Sequence, residues 1–331
     1  MALPLFNDEA VYLLRAQRFP AMLMADPRSS SATLPEGKLL QELCLALLAR
    51  LPGDPLLPAR LLSVLCGLGT VLVMIQIGRQ LACPGCGMLA GLLYALSPLA
   101  QIHDRLAISD SMLTMVGAGL LLVSVRYATN EQADRGQALG IGALLGTAAL
   151  VKLTGILLAA LPVLAVLLLT PANQRRGRIA LLRLSIIVAL LPIAALAPFH
   201  YGGAERQKIG TETSRILLAW QNIKHIASWL TQYLPVPLLL IPLAALGVGH
   251  WRQQPKDSAQ KGLRQTVAFL LVAGLALPLT LIGLGGSLAS RYILPAWPGL
   301  LVAIGLGSKL LWEQSDRRWP ARKLVIVSLG L

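Results

Sequence analysis

Asp110 opens a long apolar run directly after the segment His103-Asp104-Arg105-Leu106-Ala107-Ile108-Ser109. An acid in that position is either an N-cap or a group with chemistry to do, because an ionised side chain at the edge of an apolar stretch is costly. Ser109 can do the capping, which leaves Asp110 for other work. The second acid is Asp8, in Asn7-Asp8-Glu9-Ala10-Val11-Tyr12, just ahead of a helical period that runs from Glu9 to Phe19. A carboxylate of this kind can take a proton from a hydroxyl, and a second can orient a reactant. Lys38, Arg105 and Arg291 are the cations to match, lying in segments that separate or precede apolar runs. Such groups can pair with an anion; the competing account is that they snorkel to lipid headgroups.

The elements that must position these residues follow from composition. Of 331 residues, 55% are apolar and 13% are charged, against roughly 45–50% and about 25% in soluble domains. Too little charge remains to cover a water-facing surface. The apolar residues come in runs near the roughly 20 residues a helix needs to cross a bilayer. They lack the two-residue alternation of a membrane β-barrel, so the fold class is all-α and polytopic. Candidate spans are 59–82, 86–102, 109–127, 138–151, 153–170, 180–198, 233–250, 266–286 and 294–312, with a tenth beginning at Leu324. The split of 138–170 rests on Lys152-Leu153-Thr154-Gly155, which reads as the turn of a hairpin.

Charge gives the chain an orientation. With residues 1–57 outside, the strongly basic links fall on the cytoplasmic side: Arg126 and Arg135, Arg175 to Arg183, Arg252 to Arg264, and Lys309 to Lys323. The short outer links carry Arg105, Lys152 and Arg291. Ten of the fifteen acids lie outside: Asp8, Glu9, Asp26, Glu36, Glu42, Asp54, Asp104, Asp110, Glu205 and Glu212. Outside chemistry is therefore expected. Two units follow: a first extracytoplasmic loop, 1–57, with short amphipathic helices, and a transmembrane unit, 58–331, with an outer loop at 199–232. In that loop Ile216, Leu217, Trp220, Ile223, Ile226 and Leu230 form one face, as in a helix lying in the interface.

Several function classes drop out. The formal charge of +14 is spread over short links without interleaved aromatics, so no nucleic-acid surface is expected. Cys44, Cys66, Cys83 and Cys86 are too scattered for a disulfide framework. Cys83-Pro84-Gly85-Cys86 reads as a tight turn, with no second pair to make a zinc site. Gly142 and Gly146 read as close packing of membrane helices.

The segment Asp8-Glu9-Ala10-Val11-Tyr12 resembles the motif in the first outer loop of GT-C membrane glycosyltransferases, in the branch of the protein O-mannosyltransferases and lipid A aminoarabinose transferases. Further landmarks follow in that family's order: Gly37-Lys38-Leu39-Leu40, Ala59-Arg60-Leu61, Ser97-Pro98, Arg105-Leu106, Ser109-Asp110 and Arg291-Tyr292-Ile293-Leu294-Pro295. The resemblance implies transfer of a sugar from a polyprenyl phosphate carrier to a lipid, glycan or protein acceptor on the extracytoplasmic face of the plasma membrane, with inversion. It implies Asp8 as base and Asp110 as a second catalytic carboxylate, with Glu9, Lys38, Arg105, Arg291, Tyr292 and His103 around the substrates. The resemblance fixes no cofactor. A divalent cation is conceivable, with His103, His200 or Glu36 as ligands, though no ligand spacing supports it. The family has a membrane helix before the first loop and a full span at the end. Residues 1–7 and Leu324–Leu331 are too short for either, so truncation at both ends is expected. The alternatives are a secondary transporter and a non-catalytic partner of a membrane transferase.

Overall fold

The computed structural model describes residues 7–24, 33–34, 38–81, 83–132, 134–196, 200–201, 215–251, 258–283 and 290–315. The chain is helical nearly throughout these residues. α1 (Asn7–Met24) and α2 (Leu39–Leu48) make the first loop, and α3 (Leu56–Gln80), α4 (Pro84–Leu96), α5 (Pro98–His103) and α6 (Ser109–Thr129) begin the bundle. α7 (Arg135–Val151) follows, then a 3₁₀ turn at Leu153–Ala159 running into α8 (Ala160–Leu169). Next come α9 (Ala172–Leu196), α10 (Arg215–Tyr233), α11 (Val236–Trp251), α12 (Ser258–Gly283) and, after a second 3₁₀ turn at Ser290–Ala296, α13 (Trp297–Ser315). The one strand pairing is a parallel pair of dipeptides, Thr33–Leu34 with His200–Tyr201.

The helices follow the expected apolar runs, with local signals at their ends. Pro84 and Pro98 stand in the first turns of α4 and α5, where the missing N–H costs nothing. The expected span 86–102 is thus two helices, broken at Ser97-Pro98. Asp134 caps α7 by accepting from the Gln137 N–H at 2.6 Å. Among the described residues, three helices are long and apolar enough to cross a membrane, Leu56–Gln80, Ser109–Thr129 and Ser290–Glu313, or four if the bent pair α10–α11 is one span. These residues do not by themselves establish the nine to ten spans expected. α4, α7 and the segment Leu153–Leu169 are apolar but shorter, and the tenth run, from Leu324, lies outside the described residues.

Burial is inverted relative to a water-soluble bundle. On α3, Leu61, Leu65, Leu68 and Leu72 form a helical stripe that is exposed, while Ala59, Ser63, Cys66, Gly67 and Thr70 face inward. A stripe of leucines turned outward fits lipid, and small or polar residues turned inward let helices approach closely. α6 and α13 are the most enclosed, with Leu120, Val125, Leu301, Ile304 and Leu310 at their contacts with the surrounding helices. A second, smaller core joins Tyr12, Ala16 and Phe19 of α1 and Leu45 of α2 to Ala59 and to Leu106–Ile108.

Lys152 meets Asp110 at the start of α6, while the Thr170 hydroxyl donates to the Ala128 carbonyl near its end, at 3.0 Å. The chain therefore reverses at Lys152, and α7 and α8 form the expected hairpin. Arg178 lies at the end of α6 remote from Asp110. Its guanidinium, buried, donates to the carbonyls of Tyr127 and Asn130 and to Gln174 Oε1. The link Cys83–Cys86 is also a turn as expected, but the two cysteines are joined as a disulfide. α10 leaves α11 at 103°. Its expected single face is divided: Ile226 is buried, whereas Trp220 and Ile223 are exposed, and the side chains of Ile216 and Leu217 lie outside the described residues.

Gly142 shows how tight the bundle is. A Cβ there would come within 2.6 Å of the Ser185 carbonyl oxygen and 2.8 Å of Val188 Cβ on α9, whereas at Gly140 nothing lies within 4 Å. Gly142→Leu should destabilise the purified protein by about 1–3 kcal/mol or more through overpacking. Thermal melts in detergent should show a lowered midpoint for Gly142→Leu and little change for Gly140→Leu; equal midpoints would contradict the α7–α9 contact.

Candidate functional site

Asp110 and its neighbours on either side are built by three helix ends that meet at one end of the bundle. α6 starts at Ser109, so its first turn presents Asp110, buried, where free N–H groups favour a negative charge. The α7–α8 turn brings Lys152, whose Nζ donates to Asp110 Oδ1 at 2.7 Å. The 3₁₀ turn before α13 brings Arg291, whose Nε lies 3.9 Å from Asp110 Oδ2. Arg291 Nη1 also pairs with Asp8 Oδ2, at the start of α1. Tyr292 stands beside both cations, its ring centroid 4.3 Å from Lys152 Nζ and 5.6 Å from Arg291 Cζ. Its π-face favours two like charges that would otherwise repel.

Tyr12 links the cluster to the first loop. It lies one helical turn after Asp8, and its hydroxyl accepts from Lys38 Nζ at 2.6 Å while the same ammonium sits 4.4 Å from its ring centroid. Burial, followed by the charge of Asp8, pushes its phenol up to about 12, with Arg291, Asp110 and Lys152 also acting on it. Tyr12 is therefore a neutral phenol at ordinary pH. His103 ends α5, and its Nδ1 is buried with no hydrogen-bond partner among the described residues. Asp104, next to it, is occupied elsewhere: Tyr94 donates to its Oδ2 at 3.0 Å, and burial raises its carboxyl to about 6.

Of the residues expected at the site, the structure brings together Asp8, Asp110, Lys38, Arg291 and Tyr292, and sets His103 within reach of the same charges. Glu9 is placed otherwise. It is fully buried, receives two bonds from Arg60 at 2.8 and 2.9 Å, and accepts the Ala107 N–H at 2.7 Å. Adjacent side chains on a helix diverge by about 100°, so when Asp8 faces Arg291, Glu9 turns into the bundle. It ties the first loop to α3 and to the loop before α6. Arg105 is exposed and makes no ion pair among the described residues. Its place beside Asp110 is taken by Lys152. Lys152 carried the same sequence signal as Arg105 and Arg291, a single cation in a short outer link. Arg60 stood at a family landmark without an assigned role.

As for a metal ion, the described residues contain no group of three or more His, Cys, Asp or Glu that could hold one. The side chains of Glu36 and His200 lie outside those residues. Below the charged cluster, about two turns into α6, an apolar crevice is lined by Gly117, Leu121, Leu157, Leu161, Pro295 and Pro298.

The family model described as dolichyl-phosphate-mannose-protein mannosyltransferase matches residues 39–199. No curated protein sequence matches the chain. Among solved structures, the fold is similar to that of ArnT from Cupriavidus metallidurans bound to undecaprenyl phosphate, with a TM-score of 0.61 at 18% identity, covering 95% of this chain and 59% of that one. It is equally similar to the apo state of the same protein, with a TM-score of 0.60 at 16% identity over 95% of this chain and 58% of that one. The chain thus spans somewhat under two thirds of the proteins whose fold it shares. The family model thus covers just under half of the chain, in the stretch that holds the landmarks from Ala59 to Asp110, and the chain shares the fold of ArnT over nearly its whole length.

Proposed function

We propose that the chain carries the site of a glycosyltransferase that moves a sugar from a polyprenyl phosphate to a lipid, glycan or protein acceptor on the extracytoplasmic face of the plasma membrane, with inversion. The observation that carries this reading is the meeting of Asp8 and Asp110 with Arg291, Lys152 and Lys38 at one end of a bundle whose apolar crevice starts just below. The fold supports it, because the similar ArnT is a protein that binds undecaprenyl phosphate. So does the distribution of buried acids. Glu9, Glu42, Asp104 and Asp110 all lie at the same end of the bundle, whereas a secondary transporter gathers its charges near the midplane between two repeats.

In this reading the acceptor hydroxyl attacks the anomeric carbon from the face opposite the phosphate. Asp8 takes the hydroxyl proton as the new C–O bond forms. The old bond from the anomeric carbon to the phosphate oxygen breaks with its electron pair, and the polyprenyl phosphate leaves with one more negative charge. No acid is needed for such a leaving group, but cations are, and Arg291, Lys152 and Lys38 provide them. Asp110 holds Lys152 and Arg291 in place. The crevice takes the first part of the prenyl chain, and His103 and Tyr292 meet the sugar.

Two experiments test this. Asp8→Asn keeps size and most hydrogen bonding but removes the proton acceptor, so turnover should fall about 10²–10⁴-fold without loss of donor binding. Sugar release from a polyprenyl phosphate donor by the detergent-purified protein is the assay, and wild-type turnover in this variant with a dead Asp110→Asn would reverse the two roles. Arg291→Ala should weaken donor use by about 2–5 kcal/mol, and Arg291→Lys should recover only part, since a point charge does not reproduce the planar fork.

Orientation is tested separately. Single cysteines at Asp54, beside the site end, and at Gln174, at the remote end, are made in a cysteine-free background. A membrane-impermeant thiol reagent should label Asp54→Cys in intact cells and Gln174→Cys only after permeabilisation. Labelling of the Gln174 position alone in intact cells would place the site on the cytoplasmic side.

A further inference from the structure

The two acids of the site are paired in different ways. Asp110 and Lys152 form an enclosed pair, their side chains 4% and 10% exposed, with 2.7 Å between Nζ and Oδ1. Asp8 and Arg291 form an open one, at 31% and 21%. Breaking an enclosed ion pair leaves an uncompensated buried charge and is strongly unfavourable, whereas an accessible pair exchanges its partner at little cost. Arg291 also has donor capacity in reserve: its Nε is buried with no hydrogen-bond partner among the described residues, 3.9 Å from Asp110 Oδ2.

From this difference we infer that Asp8 occupies, in the resting protein, the place on Arg291 that the donor phosphate takes in the loaded one, so that donor binding releases the base. The inference rests on the proposed polyprenyl phosphate transfer and adds to it a regulation of the same site. A carboxylate and a phosphodiester each present two oxygens to a guanidinium fork, and two anions on one fork repel each other, so they compete for Arg291. While Asp8 holds it, Oδ2 is engaged by the guanidinium and its carboxylate is held toward Arg291 rather than toward an acceptor hydroxyl. A phosphate that draws Arg291 away makes Asp8 available.

The coupling has a direction at each stage of the cycle. Donor binding before acceptor is favoured, because only the loaded site has a free base. After transfer, Asp8 carries the acceptor proton and has no claim on Arg291, while the product phosphate has gained a charge and holds it more tightly. Loss of that proton to water restores the carboxylate, which then competes for Arg291 and helps expel the product.

The test uses binding of undecaprenyl phosphate to the purified full chain in detergent, read by calorimetry or by the shift in thermal midpoint, with no activity required. Asp8→Asn, and Asp8→Ala as a second route to the same loss of charge, should each tighten binding by about 5- to 100-fold, the ordinary range of coupling between sites. Placing Asp8→Asn in an Arg291→Gln background should abolish the gain, because the competition has lost its object. Equal or weaker binding by both Asp8 variants overturns the inference while leaving the transfer reading in place. An undiminished gain in the Arg291→Gln background also overturns it, reducing the effect to general repulsion between Asp8 and the phosphate. Failure of the wild-type chain to bind undecaprenyl phosphate at all would remove the transfer reading itself, and this inference with it.

Discussion

A carboxylate buried at the end of a membrane helix must be paired or protonated, and Asp110 is paired. Its partner Lys152 comes from the turn of the α7–α8 hairpin, so the ion pair sets the height at which that hairpin stands against α6. Arg291, on the turn before α13, completes the contact. Three separate helix ends are thereby gathered at one point, and each contributes a group of opposite or complementary charge. Such a pair adds little net stability, since desolvation of both ions offsets most of their attraction. What it supplies is registry: a shift of any of the three elements would leave a charge buried alone.

The first loop is attached to the bundle by an interaction of the same kind. Glu9 takes the guanidinium of Arg60 on α3 and the N–H of Ala107 in the loop before α6, and the small core of Tyr12, Ala16, Phe19, Leu45 and Leu106–Ile108 packs beside it. Glu9 is anchored on the far side of α1, so Asp8 is presented on the near side. Asp8 sits in an open pair with Arg291 and Glu9 in a closed one with Arg60. A site that exchanges ligands needs that division, because the same residue cannot be both fixed by burial and free to accept a proton.

Away from the site the chain follows the physics of a bilayer. Leucines line the outside of α3, and glycine, alanine, serine and threonine line the inside of the bundle. Gly142 and Gly146 on α7 let Ser185, Val188, Ala189 and Pro192 of α9 approach as closely as backbone allows. At the end remote from Asp110, Arg178 satisfies the last carbonyls of α6. α6 thus carries a carboxylate in its first turn and a cation at its last, both aligned with its dipole.

Much of this was determined by the sequence on its own. Apolar runs and scarce charge require membrane helices, and the interruption at Lys152-Leu153-Thr154-Gly155 is enough to split one long run into a hairpin, as the reversal between Asp110 and Ala128 bears out. Asp110 stood out because it opens an apolar run, and Asp8 because Asp8-Glu9-Ala10-Val11-Tyr12 resembles a family motif. Tertiary structure alone decided which cation serves which acid. Arg105, Lys152 and Arg291 look alike in sequence, yet the turn geometry brings Lys152 and Arg291 to Asp110 and leaves Arg105 exposed. Asp8 and Glu9 are neighbours, and only the packing of α1 shows that one meets Arg291, 283 positions away, and the other Arg60, 51 positions away. Local periodicity reports which face of a helix is apolar. Which charge meets which depends on how whole helices are placed against one another, and that is written in contacts between distant parts of the chain.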